Sequence, residues 1–231
     1  MKIGICGFSY KAANLFNVLE IQDTFYDIVS IDKLKKWRNY NRDIELNVKA
    51  LQVITHSYNK NYKKMKKFLV SDMNNLGSFK VNIDTEKALE ITLEEANVLN
   101  SRIIIFQTPS SFKPNAENIR NVIEFSSILD RKFLYGWEPR GEWYNNQDIL
   151  LHVLEEAKLI HVTDPFRHMP LYGDIRYYRL HGIGGKEVNY RYNYSDEDLL
   201  KLKSIVNGES YVLFNNIYSI KNALKFKEMV S

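Results

Sequence analysis

Residues 102–107 read RIIIFQ, an apolar run without alternation that ends in a polar side chain. Such runs are typical of parallel strands, because helices cover both faces of a parallel sheet and bury its strands on both sides. Helical patterns flank the run. Thr85–Asn100 precedes it, with apolar residues at helical spacing behind a predicted threonine N-cap, and Pro114–Leu129 follows it. A strand between two helices predicts βαβ units and a parallel sheet.

Seven further short apolar runs repeat this pattern along the chain. The predicted strands are Lys2–Cys6, Asn17–Ile21, Asp43–Lys49, Arg102–Gln107, Lys132–Trp137, Leu159–Thr163, Ile175–Leu180 and Ser210–Phe214. The other predicted helices are Ser30–Tyr40, Asn145–Lys158, Ser195–Val206 and Ser219–Val230. Alternating strands and helices in 231 residues favour an α/β fold of the (β/α)₈ TIM-barrel type, with residues 1–231 as a single domain.

Two connections depart from a regular barrel. Only residues 7–16 separate the first two strands, whereas a parallel crossover needs roughly a dozen residues, so the first helix is predicted to be shortened, near Lys11–Phe16. For the long connection 50–84 we predict a helix near Tyr58–Leu69 plus a loop. Its basic cluster, Lys60–Lys67, is either a solvated helix face or a patch for phosphate backbones.

Composition narrows the class of protein. A net charge of +4 and 45% hydrophobic residues are ordinary for a globular domain and do not demand a nucleic-acid partner. Cys6 is the only cysteine, so neither an internal disulfide nor a multi-cysteine metal site can form. No apolar stretch reaches the ~20 residues that span a bilayer, and no signal-peptide pattern opens the sequence. We expect a cytoplasmic protein without a membrane partner.

Polar side chains follow every predicted strand at its carboxyl end, which is the active-site end of a parallel barrel. Burial of polar groups without partners is costly, so their convergence predicts a site at the barrel mouth. The residues expected to bind substrate are Tyr10, Gln22, Thr24, Tyr26, Lys49, Gln107, Arg140, Trp143, Asp164, Arg179, Asn215 and Asn216. The candidate catalytic residues are Glu20, Glu138, His181 and His56.

Six segments, in order along nearly the whole chain, resemble one known family. They are Ile3–Tyr10 (IGICGFSY), Leu19–Tyr26 (LEIQDTFY), Val48–His56 (VKALQVITH), Phe106–Phe112 (FQTPSSF), Tyr177–Gly182 (YYRLHG) and Tyr211–Asn216 (YVLFNN). On these segments the chain resembles domain-of-unknown-function family 72, the YecE-like proteins. The resemblance implies a TIM barrel with a site at its mouth. It implies no reaction, because that family has no settled activity.

The sequence departs from the family pattern in three places. Gln22 stands where relatives usually have asparagine, which keeps an amide but lengthens its reach. Trp137–Arg140 (WEPR) stands where many relatives have Glu-Phe-Arg-His, so Glu138 and Arg140 align but the histidine is missing. No role for that histidine is transferred. The shortened first helix leaves closure of the barrel between the first two strands as a question for the structure.

The two glutamates and two of the histidines suggest acid–base chemistry. Glu20 and Glu138 are either an acid–base pair, as in glycosidases, or partners of Lys49, Arg140 and Arg179 in ion pairs. Arg179 and His181 lie on the same side of their strand by alternation. His181 and His56 are candidate proton-transfer groups, although His56 is also placed to cap a helix. His152, His161 and His168 are interpreted as surface or core residues.

Arg140, Arg179 and Lys49 are the predicted anion clamp, because guanidinium groups bind phosphate and carboxylate in a bidentate manner; the alternative is that they balance the acidic groups. A metal site would draw on Glu20, Glu138, Asp164, His56 and His181. These positions are scattered and lack a close pair such as His-Glu-x-x-His, so no metal ligand is predicted. No cofactor is expected, and a bound divalent metal remains the alternative.

Three functions remain open. The favoured hypothesis is a metal-independent enzyme of the hydrolase, lyase or isomerase type, with a small anionic or sugar-like molecule as its partner. The second is a metal-dependent, endonuclease-like barrel that processes nucleic acid; it rests on fold analogy and the basic cluster. The third is a non-catalytic ligand-binding module. A dinucleotide enzyme is disfavoured, because no Gly-x-Gly-x-x-Gly follows a strand.

Overall fold

The chain forms a closed barrel of eight parallel strands in sequential order, in a computed structural model that describes residues 1–59, 62 and 65–230. The strands are β1 Lys2–Cys6, β2 Val18–Ile21, β3 Glu45–Lys49, β4 Ile103–Gln107, β5 Leu134–Glu138, β6 Ile160–Thr163, β7 Arg176–Leu180 and β8 Ser210–Phe214. β8 pairs with β1 and closes the barrel. The predicted (β/α)₈ TIM-barrel class is confirmed, and each strand lies within about two residues of its predicted bounds.

Helices pack around the outside of the barrel. They are α1 Tyr10–Leu15, α2 Asp23–Tyr26, α3 Ile31–Tyr40, α4 Ile83–Leu99, α5 Ala116–Ser127, α6 Gln147–Ala157, α7 Asp196–Ile205 and α8 Ser219–Val230. Short 3-10 segments occupy Gln52–Ile54, Met73–Asn75 and Gly141–Asn145. None of the helices in the described part of the chain has the length and apolar character needed to cross a membrane.

Three connections differ from the regular pattern. The first helix is short, as predicted, and Ser9 caps it by accepting from the Ala12 N–H. Between β6 and β7 the chain runs from 164 to 175 without a helix. In the stretch predicted as a helix near Tyr58–Leu69, the described residues are not α-helical, and residues 60, 61, 63 and 64 lie outside the described residues. Lys60, Lys63 and Lys64 of the basic cluster therefore lie outside the described residues, whereas Lys66 and Lys67 are described.

The start of α4 corrects one sequence interpretation. The N-cap is Asn82, whose side chain accepts from the backbone N–H groups of Asp84 and Thr85. Thr85 is three residues further on, where its side chain completes a capping box. Both residue types are good caps, so the apolar periodicity alone did not locate the true helix start.

Closure between β1 and β2 depends on a close approach of their backbones. Gly4 is paired with Val18, and a Cβ atom built on Gly4 would lie 1.8 Å from the Val18 carbonyl oxygen. Only glycine fits there. The barrel therefore closes despite the short connection.

Two apolar regions sandwich the strands. Inside the barrel, Val18, Ile105 and Val162 pack around the stacked rings of Tyr177 and Tyr211, whose centroids are 5.3 Å apart. The larger core lies between strands and helices. The interior is thus filled below the mouth, and the polar side chains at the carboxyl ends of the strands are left to build the site.

Candidate active site

Arg179 in β7 bridges two buried carboxylates at the carboxyl end of the barrel. Its Nη2 donates to Glu20 Oε1 over 2.9 Å, and its Nη1 donates to Glu138 Oε2. The Arg179 side chain is only 1% exposed. Burial by itself would lower the Arg179 pKa, but the Glu20 and Glu138 charges raise it well above the ordinary value. The two carboxylates therefore face a permanent cation that lies between them.

Glu138 is shared by three basic side chains. Arg140 Nε donates to Glu138 Oε1 over 2.9 Å, and His181 Nε2 lies 3.1 Å from the same oxygen. Burial would raise the pKa of Glu138, but the charges of Arg140 and Arg179 hold it well below the usual range. Glu138 is therefore ionised and fixed in orientation.

The imidazole of His181 is neutral and has polar partners at both ring nitrogens. Asn215 Nδ2 lies 3.2 Å from Nδ1 and Glu138 Oε1 lies 3.1 Å from Nε2, so the tautomer with its proton on Nε2 pairs a donor with an acceptor in both contacts. Burial lowers the His181 pKa to about 4, although Glu138 opposes the shift. Arg140 Nη2 is 3.2 Å from Nε2 and adds to the positive surroundings.

Glu20 has a second set of partners. Gln22 Nε2 donates to its Oε1 over 2.6 Å, and the Tyr177 hydroxyl donates to its Oε2 over 3.1 Å. The longer reach of Gln22 is thus used. Sequence reasoning missed Tyr177, although it lies two residues before Arg179 and alternation places both inside the barrel. Cys6 also lies near this carboxylate, and burial raises the pKa of its thiol, with Glu20 adding to the effect.

Lys49 and Gln107 occupy the side of the mouth formed by β3 and β4. Lys49 Nζ donates to Gln107 Oε1 over 2.9 Å and lies 3.8 Å from the centroid of the Phe25 ring. The Phe25 ring also makes an edge-on contact with His56, at 5.1 Å between centroids. Burial lowers the His56 pKa to about 3, with Lys49 adding to the effect, and Thr55 Oγ1 contacts its Nδ1. His56 thus lies near the cluster without bonding to it.

A cavity of about 1030 Å³ opens beside the network, on the side of β5, β6 and β7. Asp164 lies in its wall and accepts from the backbone N–H groups of His181 and Phe166, over 2.9 and 3.1 Å. Burial raises the Asp164 pKa to about 6, although these hydrogen bonds lower it. The other polar or aromatic lining residues are Ser110, Glu138, Arg140, Glu142, Tyr144, Asn145, Phe166, Arg167, His168, His181, Lys186 and Glu187.

Several of the lining residues were not among the sequence candidates. His168, interpreted from the sequence as surface or core, lies in the cavity wall and stacks on Tyr144 with centroids 3.5 Å apart. Arg167 lines the cavity and donates to the carbonyl oxygens of Gly182 and Gly184. Both basic residues belong to the helix-free connection after β6. The lack of a helical pattern in this connection was the sequence feature that could have identified them as site residues. His161, by contrast, is fully buried.

The structure does not bring every candidate into the network. Thr24 and Asn216 are buried and donate to backbone carbonyls, of Lys49 and Tyr192 respectively. Trp143 is buried against Trp137 and donates to the Phe112 carbonyl. Tyr10 packs edge-on against Tyr40, outside the barrel. Tyr26 is 39% exposed and contacts Phe25 edge-on.

The donor set does not fit a metal ion. The oxygens of Glu20 and Glu138 are bound by Arg179, and Glu138 also meets Arg140. A divalent cation there would have to displace the guanidinium groups of Arg179 and Arg140 from these oxygens. In the part of the chain that the structure describes, no group of three His, Cys, Asp or Glu side chains converges as metal ligands would.

A closed parallel barrel with a buried carboxylate–guanidinium–imidazole cluster at its carboxyl end defines the class: a TIM-barrel protein with a candidate active site at its mouth. The family described as "Protein of unknown function DUF72" matches residues 8–231. The chain therefore belongs to the DUF72 family, in agreement with the sequence resemblance. No curated protein matches it.

Solved structures agree with this assignment. A DUF72 family protein from Enterococcus faecalis V583 is 16% identical, with a TM-score of 0.77 over 99% of this chain and 94% of its own. One from Thermotoga maritima MSB8 is 21% identical, with a TM-score of 0.62 over 93% and 85%. The IolI protein, solved with a bound zinc atom, is 12% identical, with a TM-score of 0.53 over 98% and 96%. Such low identities show the fold alone.

Proposed function

We propose that this protein is a metal-independent enzyme of the hydrolase, lyase or isomerase type that acts on a small anionic or sugar-like molecule at the carboxyl end of the barrel. The observation that carries the proposal is the network of Glu20, Arg179, Glu138, Arg140 and His181 beside a cavity of about 1030 Å³. Glu138, Arg140 and His181 belong to both the network and the cavity wall.

A network of buried charges is an inefficient way to stabilise a fold. Buried ion pairs cost desolvation, and well-packed apolar side chains often stabilise a fold equally well. Clusters of perturbed ionisable groups in a cleft are typical of functional sites. The cost of burying Glu20, Glu138 and Arg179 together is therefore explained best by chemistry at the mouth.

The cavity is suited to an anion. Arg140 uses Nε and Nη2 on Glu138, while its Nη1 lies 4.0 Å from Glu187 Oε2, beyond hydrogen-bond distance. Among the described residues, Nη1 thus has no acceptor at hydrogen-bond distance, and Arg167 and Lys186 add positive charge to the cavity wall. A phosphate or carboxylate group would accept from the Arg140 guanidinium. The lining carboxylates, including Glu142, would accept from hydroxyl groups of a sugar-like substrate.

Two titratable groups in the wall supply proton transfer. Neutral His181 presents Nε2–H beside ionised Glu138, and the backbone N–H of the same residue holds Asp164. The pKa of Asp164 is raised to about 6 by burial, which brings this carboxyl close to neutral pH. Groups with separated pKa values in one site can divide the acid and base roles. Asp164 and His181 are therefore the proposed proton-transfer pair.

The test is a thermal-shift screen of chelator-treated protein with phosphate, sulfate, carboxylates, sugar phosphates, neutral sugars, divalent metals and a short oligonucleotide. A ligand that binds only the native state raises Tm. We expect an anion or sugar phosphate to raise Tm in the wild type and in Arg120→Leu, an exposed control, but not in Arg140→Leu, each measured against the Tm of that variant without ligand.

Two results would overturn the proposal. One is an unchanged Tm with every anion and sugar in the panel. The other is a rise that depends on a divalent metal and is lost in Glu138→Gln, which would favour the metal-dependent barrel instead.

A further inference from the structure

Lys49 is a buried lysine whose carboxylate neighbours are already bound by other groups. It ends β3 inside the barrel mouth and is 4% exposed. Among the described residues, no Asp or Glu oxygen lies within 4.0 Å of its Nζ. The nearby carboxylates of Glu20 and Glu138 both form ion pairs with Arg179 instead. Its contacts are the Gln107 amide oxygen and the face of Phe25. A structural lysine in a barrel interior would ordinarily have an acidic partner.

The surroundings favour the neutral amine. Burial, together with the Arg179 charge, lowers the Lys49 pKa to about 7, although Glu20 and Glu138 oppose the shift. A desolvated lysine next to other cations is a nucleophile at neutral pH, whereas an exposed lysine is almost wholly protonated.

Lys49 does not line the cavity but is linked to its wall through Gln107 and Glu138. Gln107, which binds Lys49 Nζ, is paired directly with Glu138 in the barrel register. Glu138 in turn holds Arg140 in the cavity wall. One strand, β4, thus separates Lys49 from the anion-binding wall. Gln107 and the neighbouring His56 are partly exposed, so the mouth is open to solvent on this side.

We propose that Lys49 Nζ forms an imine with the aldehyde or ketone group of an anionic substrate, which adds a carbonyl to the substrate class of the proposed function and rests on that function. The amine nitrogen bonds to the carbonyl carbon, and one N–H proton passes to the oxygen, which gives a carbinolamine. The C–O bond then breaks as the hydroxyl group takes a proton from solvent and leaves as water, so that a protonated imine remains. The step consumes no oxidant or reductant.

The residues around Lys49 suit this step. The Gln107 amide oxygen accepts from the amine and fixes its direction of attack. The Phe25 ring at 3.8 Å stabilises a cation over its face, and the protonated imine is such a cation. An iminium carbon withdraws electrons from its neighbouring bonds, so the same site would serve a lyase or an isomerase.

The test is reductive trapping at pH 7.5 with cyanoborohydride and two probes, glyoxylate and glyceraldehyde 3-phosphate, followed by peptide mass mapping. We expect Lys49 to be labelled at least about tenfold faster than the exposed lysines, which are mostly protonated at this pH. The labelling rate of Lys49 is expected to rise through about pH 7. Lys36→Met, which changes an exposed lysine on α3 away from the mouth, is expected to retain the adduct.

Labelling of Lys49 no faster than that of the exposed lysines with either probe would overturn the proposal, and this comparison needs only the wild-type protein. The proposal would also be overturned if Lys49→Met formed as much rapidly trapped adduct per protein molecule as the wild type. Failure here is distinct from failure of the proposed function. An anion-dependent rise in Tm without trapping refutes only the imine, whereas trapping without any anion response refutes the anion site.

Discussion

Arg179 shows how one side chain organises the mouth. Its two terminal nitrogens hold Glu20 from β2 and Glu138 from β5, and its own strand places His181 two residues further on. This geometry leaves no space between the two carboxylates for a scissile bond, because the guanidinium fills it. An acid–base pair of the glycosidase kind is therefore less suited to these residues than proton transfer through His181 and Asp164.

Removal of Arg179 tests its place in the fold. Arg179→Ala would leave two buried carboxylates without their cation, and breaking a buried ion pair costs about 3–5 kcal/mol. We expect a loss of this size in the free energy of unfolding, measured by urea denaturation. The exposed arginine in the control Arg120→Ala has only a 3.9 Å contact with Glu124, so its loss should be below about 1 kcal/mol. Equal losses in both variants would mean that Arg179 does not stabilise the fold by pairing with Glu20 and Glu138.

At the scale of elements, the junction of β1 and β2 is the least tolerant part of the barrel. Gly4→Ala would place a methyl group 1.8 Å from the Val18 carbonyl oxygen, which is backbone and cannot rotate away. We expect a loss of about 2–4 kcal/mol in the free energy of unfolding, at or above the usual range for overpacking.

Gly208→Ala is the matched control for that junction, because a Cβ atom there meets nothing within 4 Å, although its φ of +61° adds some strain. The loss in this variant should be near 1 kcal/mol. A smaller loss for Gly4→Ala than for Gly208→Ala would show that the β1–β2 approach is not the constraint described here.

Helix α4 carries a buried carboxyl that links stability to pH. Glu95 Oε1 accepts from the Val29 N–H over 2.7 Å, and burial raises the Glu95 pKa to about 8. Glu94 and Asp27 add to this rise, whereas Lys67 and the hydrogen bond from Val29 oppose it. Since the native state binds the proton more tightly than the unfolded chain, this carboxyl stabilises the fold at low pH, and the contribution is lost as pH rises toward 8.

Glu95→Gln isolates that contribution. The variant keeps an oxygen for the Val29 N–H but cannot ionise, so other titrating groups cancel in the comparison. Between pH 5 and pH 8 the wild type is expected to lose stability relative to Glu95→Gln, as measured by urea denaturation at several pH values. A difference that does not change with pH would mean that Glu95 ionises normally.

For the whole molecule, the strands were predictable because burial on both faces leaves a continuous apolar signature, as in Ile103–Gln107. The candidates Glu20, Glu138, Arg179 and His181 were predictable because each is one of the last two residues of a parallel strand or directly follows one. The partner of each residue was not predictable, because Glu20 and Arg179 are 159 positions apart in the sequence and meet only when the barrel closes. Thr24 and Asn216 show the limit: a polar residue after a strand also serves to bind backbone carbonyls.

We propose above that the cavity beside Glu138, Arg140 and His181 binds a small anion or sugar-like molecule. The most direct measurement is a crystal structure of the protein soaked with the anion that raises Tm most in the wild type. We expect density for that molecule in the cavity, with an acceptor oxygen at hydrogen-bond distance from the Arg140 guanidinium. Density for the molecule only outside this cavity, with Arg140 contacting protein alone, would contradict it.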